Sequence, residues 1–206
     1  MKRIFALLIC MTIVFSICVS AATIEPAGHW AQDAINYALD KGYVKGNEAG
    51  VVSADASMTR AEFVAVLCRV LSLPGFDNNP FEDVDSDAWY NGFVSTAYRA
   101  GIVTGTSDST FSPDALVTRE EAVSMLQRGW KISRASFTKP PFNDQDEISS
   151  WALNSVRIMH ESLYIKGDDY NNFNPKNNVT FGEALQIIYN KQAVVSEAVS
   201  GLAGVF

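Results

Sequence analysis

Two arginines in this chain stand where an anion could be bound. Arg60 and Arg119 each follow a threonine, and a glutamate comes two residues later, in segments 59–62 and 118–121. Thr-x-x-Glu before an apolar run is the signature of a capping box at a helix start. An arginine in that first turn lies beside free backbone amides at the positive end of the helix dipole, and its planar guanidinium can hold a carboxylate with two hydrogen bonds. The residues alone favour a plainer interpretation, in which both arginines are solvated and paired with nearby acids.

The pattern returns a third time without the arginine, since Phe181 stands between Thr180 and Glu183. Three capped helix starts are therefore predicted, at Thr59 with Glu62, Thr118 with Glu121, and Thr180 with Glu183. Because a phenyl ring cannot bind an anion, the third start is not expected to form a site like the other two.

A longer unit repeats around each capped start. In all three copies a tryptophan and a glycine keep their spacing to the threonine: Trp30, Trp89 and Trp151, then Gly46, Gly105 and Gly167. An amphipathic helix is predicted to begin at each tryptophan. Trp30, Trp89 and Trp151 are candidate platforms for stacking sugars, and Trp30 and Trp89 are taken as candidate ligand residues. The interpretation that the three anchor their helices in the core fits the spacing equally well.

The copies differ at their ends. The first helices are predicted to stop at Gly42 and Gly101, residues suited to the left-handed position after a helix. Leu163 takes that place in the third copy, so its helix is expected to stop differently. The second and third copies begin with an F-x-D segment, Phe81–Asp83 and Phe142–Asp144. The first copy has no such leading segment.

The two ends of the chain have distinct compositions. Residues 1–21 combine a basic start, an apolar run and small residues before Ala21, which predicts a secretory signal peptide. The alternative, an uncleaved membrane anchor, needs about 20 apolar residues, more than this run provides. No membrane contact is expected after cleavage. After Tyr189 a tail rich in Ala, Val and Ser is predicted to form at most a short helix.

Charge and cysteine content narrow the function further. The 206 residues carry a net charge of −7, and the basic residues Lys2 and Arg3 leave with the signal peptide. Nucleic acid is therefore not an expected partner, because binding to it depends on neutralising phosphates. Cys68 is the one cysteine beyond the signal peptide and is interpreted as a small buried hydrophobe.

The usual arrangements for catalysis or metal binding are missing from the sequence. His29 and His160 are the only histidines and lack partners at zinc-ligand spacing. Asp83, Asp85 and Asp87 imitate the start of a calcium loop, but without its glycine and closing glutamate they are interpreted as acids at a helix N-terminus. We expect no metal, no cofactor and no enzymatic activity.

Taken together, these blocks resemble S-layer homology modules. The shared blocks are a leading F-x-D, a helix begun by Trp, a G-x-x-x-G connector, an F-x-P-D loop and a T-R-x-E helix start. The second copy matches nearly throughout, with Phe81–Asp83, Trp89, Gly101–Gly105, Phe111–Asp114 and Thr118–Glu121. The third copy is degenerate, since it departs from the pattern at Leu163, Phe181 and Gly182.

The resemblance implies an all-α fold. In it, three tandem helix-loop-helix repeats close into a pseudo-threefold spindle around a central three-helix bundle. The expected divisions are a signal peptide at 1–21, repeats at 22–76, 77–138 and 139–190, and a short C-terminal tail at 191–206.

The resemblance also implies a location and a function. Family members sit at the cell surface and bind secondary cell-wall polysaccharides, often acidic ones with a pyruvyl ketal, in grooves between repeats. The arginine of T-R-x-E is their principal ligand residue, which is Arg60 or Arg119 here. Other surface-layer proteins are a second class of partner. The alternatives are a structural protein that self-associates in a surface layer without binding glycan, and a truncated anchor that lacks its cargo domain.

Overall fold

The computed structural model describes residues 22–133 and 140–203. The predicted signal peptide lies outside these ranges, as do residues 134–139, between the second and third repeats, and the last three residues. Among the described residues, no helix has the length and apolar character needed to cross a membrane.

The chain is mainly helical, as predicted. The described residues form six α-helices: α1 Gln32–Asp40, α2 Arg60–Val70, α3 Asn91–Arg99, α4 Arg119–Gly129, α5 Ser150–Glu161 and α6 Phe181–Ala203. A 3-10 turn at Gln145–Glu147 precedes α5, and two short strands, β1 Thr23–Glu25 and β2 Val51–Ser53, pair in parallel. Helices α1 and α3 begin two residues after their tryptophans.

The three repeats interleave. Each helix that follows a tryptophan packs on the capped helix of the preceding repeat, so that α3 packs on α2, α5 on α4 and α1 on α6. The last pairing joins the first repeat to the third and closes the spindle. Because a repeat buries its apolar face mainly against its neighbours, the three depend on one another for stability.

A ring of backbone hydrogen bonds lies where the capped helices begin. The Met58 amide donates to the Val179 carbonyl at 3.0 Å, the Val117 amide to the Met58 carbonyl at 3.0 Å, and the Val179 amide to the Val117 carbonyl at 2.9 Å. All three residues are fully buried. Each repeat supplies one donor and one acceptor, so the ring marks the pseudo-threefold axis.

The leading segments tie down the loop before each capped helix. The Asp83 carboxylate accepts hydrogen bonds from the amides of Phe111 and Ser112 at 2.8 and 2.7 Å, and Asp144 does the same for Phe173 and Asn174 in the third repeat. Asp83 therefore stabilises the loop through its backbone amides. Its interpretation as part of an acid cluster at a helix N-terminus is wrong.

The first repeat has no F-x-D segment, but the place of that segment is filled by a strand. Strand β1 takes that place, with Ile24 paired to Val52 and the Glu25 carbonyl accepting from the Ala54 amide at 2.7 Å. In the first repeat, backbone hydrogen bonds between β1 and β2 thus hold the loop that Asp83 and Asp144 hold in the other two repeats. The F-x-D pattern could not reveal this segment, because strand pairing uses no particular side chain.

The prediction for the tail is wrong as well. Helix α6 continues through residues 191–203 instead of ending near Tyr189. The sequence has no Gly or Pro between Gly182 and Gly201 to stop it, and the helix packs along α1.

Cys68 is buried, as interpreted from the sequence. Its thiol lies 3.5 Å from the Phe93 carbonyl of α3, and burial raises its pKa to about 11. A thiol in this state is a packing residue and a poor nucleophile.

The third repeat ends its first helix like the others, contrary to expectation. Leu163 adopts a left-handed φ of 62°, close to the 70° of Gly42 and the 69° of Gly101. The Tyr164 amide reaches back to the Met159 carbonyl at 3.1 Å. The turn geometry is thus conserved between repeats, and the leucine carries the backbone strain.

We predict that Leu163→Gly stabilises the fold. A left-handed conformation costs a non-glycine residue roughly 1–2 kcal/mol, and the added unfolded-state entropy of glycine offsets about 0.5–1 kcal/mol of that. The leucine side chain is exposed, so little packing is lost. The free energy of unfolding in urea should rise by about 0.5–1 kcal/mol.

Leu163→Ala is the matched control for this prediction, since it shortens the side chain but keeps the strain. An equal gain in both variants would show that the strain is not the cause.

Candidate ligand-binding grooves

The capped helix starts form in all three repeats. At α2 the Thr59 amide donates to Glu62 Oε2 at 2.8 Å, and the Glu62 amide donates to Thr59 Oγ1 at 3.2 Å. At α4 the corresponding bonds measure 2.9 and 3.4 Å for Thr118 and Glu121, and at α6 they measure 3.0 and 3.2 Å for Thr180 and Glu183. One carboxylate oxygen of each glutamate is thereby held at the helix start.

The backbone amides of the first turn are not free, contrary to the sequence argument. The amides of Arg60 and Ala61 donate to loop carbonyls of the second repeat, Ala115 at 2.9 Å and Pro113 at 3.0 Å. The same arrangement joins α4 to the third repeat and α6 to the first. These amides close the spindle, so the side chains must supply the recognition of an anion.

The Arg60 side chain crosses into the second repeat. Its Nε donates to the Phe111 carbonyl at 2.9 Å, its Nη1 donates to Glu121 Oε1 at 2.8 Å, and its guanidinium lies 4.9 Å from the centre of the Phe111 ring. Only 4% of the residue is exposed. The interpretation as a solvated surface arginine is wrong, although the pairing with an acid is present.

Arg119 repeats this arrangement one interface further on. Its Nε donates to the Phe173 carbonyl at 2.8 Å and its Nη1 to Glu183 Oε1 at 3.0 Å, with the Phe173 ring 5.3 Å away. The two guanidinium groups are therefore held in one orientation by three contacts each.

A groove of about 340 Å³ opens beside Arg60. We call it groove 1; it is lined by Arg60, Thr104–Thr106, Glu121, Met125, Arg128 and Trp151. All three repeats contribute to it. Burial lowers the pKa of Arg60, and the pKa of Arg128 is lowered by burial and then by the charge of Arg60. Two positive groups thus lie close enough to repel each other, which favours an anion between them.

The tryptophans are exposed, so the core-anchor interpretation is wrong. The exposed fractions are 63% for Trp30, 59% for Trp89 and 57% for Trp151. A large aromatic surface open to solvent beside a groove suits stacking against a sugar ring.

Each tryptophan stands beside the helix of a different repeat. Trp151 of the third repeat lines groove 1 next to α4, where the Ser149 amide donates to Glu120 at 2.9 Å. Trp30 is flanked by His29 and Ala31, which lie so close to Gly182 at the start of α6 that a Cβ on that glycine would come within 2.8 and 3.3 Å of them. The positions of Trp151, Arg60, Glu121 and Arg128 in the repeat pattern are taken one interface further on by Trp30, Arg119, Glu183 and Asn190. We call this second set groove 2.

The third interface lacks the arginine. By the same equivalence of the repeats, Phe181, Glu62, Arg69 and Trp89 correspond to residues of groove 1, and we call this set groove 3. Trp89 packs edge-on against Phe93 at 6.4 Å, and the Arg69 guanidinium lies 4.9 Å from the Phe93 ring. Trp89, a candidate sugar platform from the sequence, thus belongs to the groove that has Phe181 in place of an arginine.

The sequence does not single out Arg128 as a residue of groove 1. Trp151 is predicted from the sequence as a possible sugar platform, like Trp30 and Trp89, but without assignment to a groove. The regular spacing of the tryptophans was the available signal for Trp151. Their assignment to particular grooves requires the interleaved packing.

Metal binding finds no support in the described part of the chain, where no cluster of three or more His, Cys, Asp or Glu residues could hold an ion. The Asp83 carboxylate is occupied by backbone amides, as described above.

We predict that Arg60→Ala destabilises the fold. The change leaves the Glu121 carboxylate without its cationic partner and the Phe111 carbonyl without its hydrogen-bond donor. It also removes the packing of the guanidinium over the Phe111 ring. The free energy of unfolding in urea should fall by about 2–3 kcal/mol. Arg99→Ala is the control, because Arg99 is exposed and lies outside the grooves. Equal unfolding midpoints for the two variants would contradict a structural role of the buried guanidinium.

Comparison with known proteins agrees with this architecture. The S-layer homology domain model matches at residues 27–64, 80–123 and 141–185. The S-layer protein sap of Bacillus anthracis is 32% identical over 165 residues, covering 79% of this chain and 20% of the relative. The exoglucanase XynX of Acetivibrio thermocellus is 32% identical over 166 residues, covering 78% of this chain and 15% of the relative.

An amylopullulanase of Thermoanaerobacterium thermosulfurigenes is 31% identical over 166 residues, 78% of this chain and 9% of that protein. The chain thus spans about a fifth or less of the length of these relatives, and the named enzymes share only this segment with it. The expected location at the cell surface agrees with the S-layer relatives. With three matched repeats in the order and spacing that the fold requires, the chain belongs to the S-layer homology domain family.

Proposed function

We propose that this chain anchors its protein to the bacterial cell wall by binding an acidic secondary polysaccharide in grooves 1 and 2. The proposal rests on the position of the Arg60 guanidinium, which is buried and held in place by Phe111 and Glu121. It lies at the edge of groove 1, which is also lined by Arg128 and Trp151. A fixed guanidinium recognises a carboxylate with little further loss of entropy.

The kinds of relatives fit an attachment function. The same segment occurs in S-layer proteins and in polysaccharide-degrading enzymes with different names. A segment shared by proteins with different activities supports a common role in attachment rather than in a reaction. Two grooves on one rigid spindle would also strengthen binding to a polymer by about 10²-fold or more through avidity.

We predict that binding to cell walls depends on both arginines. The test is co-sedimentation of the protein with purified sacculi, before and after acid extraction of the secondary polymer, for the parent and for Arg60→Ala/Arg119→Ala. The double variant should lose at least 90% of the bound fraction, because each groove loses its positive charge and avidity is lost as well. Circular dichroism verifies that the variant is folded under the assay conditions.

Arg99→Ala is the matched control, since it removes one exposed arginine outside the grooves and should bind like the parent. Equal sedimentation of the double variant, or equal binding to extracted walls, would refute the proposal. Self-association without glycan would then be the better account, and sedimentation velocity of the protein alone would reveal it.

Groove 3 offers a gain-of-function prediction. Glu62 occupies the position of Glu121 and Glu183, yet Phe181 provides no guanidinium for its second oxygen. Phe181→Arg should supply that ion pair and create a third site, which raises the apparent affinity for sacculi roughly tenfold through one more attachment point. Phe181→Leu, which removes the ring without adding charge, should leave the affinity unchanged.

The Phe181 prediction is measured from the protein concentration at half-saturation of the sacculi. No gain for Phe181→Arg, or an equal gain for Phe181→Leu, would show that an arginine at this position is insufficient to make a site.

A further inference from the structure

A single peptide group in the second repeat connects Asp83 to Arg60. It is the group between Phe111 and Ser112. The amide of Ser112 donates to Asp83 Oδ2 at 2.7 Å, and the carbonyl of Phe111 accepts from Arg60 Nε at 2.9 Å. Because a trans peptide group is planar, its N–H and its carbonyl point in opposite directions and turn together. A carboxylate that fixes the N–H therefore also fixes the acceptor of the arginine.

Asp83 holds this peptide group against a backbone preference. Ser112 has a left-handed φ of 59°, which is sterically unfavourable for a residue with a Cβ. The Asp83 carboxylate accepts from the amides of both Phe111 and Ser112, and hydrogen bonds to a charged acceptor are strong ones. Without them, Ser112 is expected to relax to a negative φ, which turns the carbonyl of Phe111 away from Arg60.

The third repeat has the same arrangement. The peptide group between Phe173 and Asn174 donates to Asp144 Oδ2 at 2.6 Å and accepts from Arg119 Nε at 2.8 Å. Asn174 is left-handed too, with a φ of 56°. Asp144 is therefore linked to Arg119 in the way that Asp83 is linked to Arg60.

The first repeat differs in both features at once. Ser53, at the place of Ser112 and Asn174, is extended as part of β2, and pairing of Val52 with Ile24 of β1 takes the place of the aspartate. The capped helix that follows the third repeat's loop pattern onto this strand begins with Phe181, which has no guanidinium to orient. Since backbone pairing is enough to hold the loop there, the aspartate and the left-handed residue accompany the two arginines.

We propose that Asp83 and Asp144 are positioning residues, which orient Arg60 and Arg119 in grooves 1 and 2 through the shared peptide group. Asp83 itself lies outside the residues that line groove 1. The inference deepens the proposed function and rests on it only where it concerns binding, because the orientation of the arginines can be measured without a ligand.

The consequence for a groove follows from the number of contacts on the guanidinium. With Nε on Phe111 and Nη1 on Glu121, the Arg60 guanidinium plane has one orientation. When Nε loses its acceptor, Glu121 is the one hydrogen-bonding partner left of these two, and the plane can turn about that bond. A ligand would then have to order the side chain on binding, at a cost in affinity.

Hydrogen exchange at the arginine side chains tests the orientation directly. The Nε–H signals of Arg60 and Arg119 are followed in ¹⁵N-labelled protein and assigned by their loss in Arg60→Ala and Arg119→Ala. Asp83→Asn keeps the shape but offers one acceptor oxygen and no charge. Exchange at Arg60 Nε–H should become at least about tenfold faster, whereas the rate at Arg119 stays within about twofold.

Asp144→Asn should give the reverse result, with faster exchange at Arg119 and an unchanged rate at Arg60. In each variant the unaffected arginine shows that the protein is folded. Asp85→Asn is the matched control, because it removes a charge from the same segment, where Asp85 accepts from the Asp87 amide. It should leave both rates unchanged.

A rescue variant separates the peptide group from the charge of the aspartate. Glycine adopts a left-handed φ without strain, so in Asp83→Asn/Ser112→Gly the one remaining acceptor oxygen should hold the peptide plane. Exchange at Arg60 should return to within about threefold of the parent rate. Failure of this rescue, or an Arg60 rate that Asp83→Asn does not change, would overturn the positioning role.

Co-sedimentation with sacculi connects the orientation to binding. Asp83→Asn should raise the protein concentration at half-saturation about tenfold, since one of two attachment points is weakened, and Asp85→Asn should not. Faster exchange at Arg60 with unchanged sedimentation would leave the positioning intact and contradict the proposed function of groove 1. Weaker sedimentation with unchanged exchange would overturn the positioning and leave the proposed function intact.

Discussion

The ring of hydrogen bonds through Met58, Val117 and Val179 is the constraint on which the spindle depends. Each of these buried amides finds its acceptor only in another repeat, and a buried amide without an acceptor would cost about 1–3 kcal/mol. One repeat alone cannot satisfy its own helix start, and two cannot close the ring. This requirement brings the three capped helices together at their N-termini and turns the residue after each threonine towards the next repeat.

The interfaces are built alike but are not interchangeable. The second residue of the capped helix is Ala61, Glu120 or Gly182. Glu120 is buried and accepts from Ser149 and Lys176 of the third repeat, while a Cβ on Gly182 would come within 2.8 Å of His29. A glutamate would not fit at the position of Gly182. The order of the repeats around the axis is therefore specified by side-chain volume and by one ion pair, in addition to the chain connections.

The separation of structural and recognition groups explains how the grooves can differ within one fold. The helix-start amides and the capping carboxylates are engaged in holding the repeats together, so changes at Phe181, Arg128 or Asn190 alter a groove without removing those contacts. The backbone geometry is maintained even where the sequence departs from the repeat pattern, as the left-handed Leu163 demonstrates. Charge in the grooves can therefore vary while the spindle is retained.

Local sequence patterns determined the positions of the helix starts and the number of repeats in this protein. The Thr-x-x-Glu spacing located three helix starts, the repeat length indicated three equivalent units, and Phe181 marked the deviant interface, because capping and helical periodicity depend on residues close together in the chain. Only the tertiary structure decided that the first-turn amides are occupied, that Trp151 rather than Trp89 accompanies an arginine groove, and that Arg128 faces Arg60. These features arise between repeats that interleave. The pairing of residues from different repeats follows from packing around the axis, which a local sequence pattern does not encode.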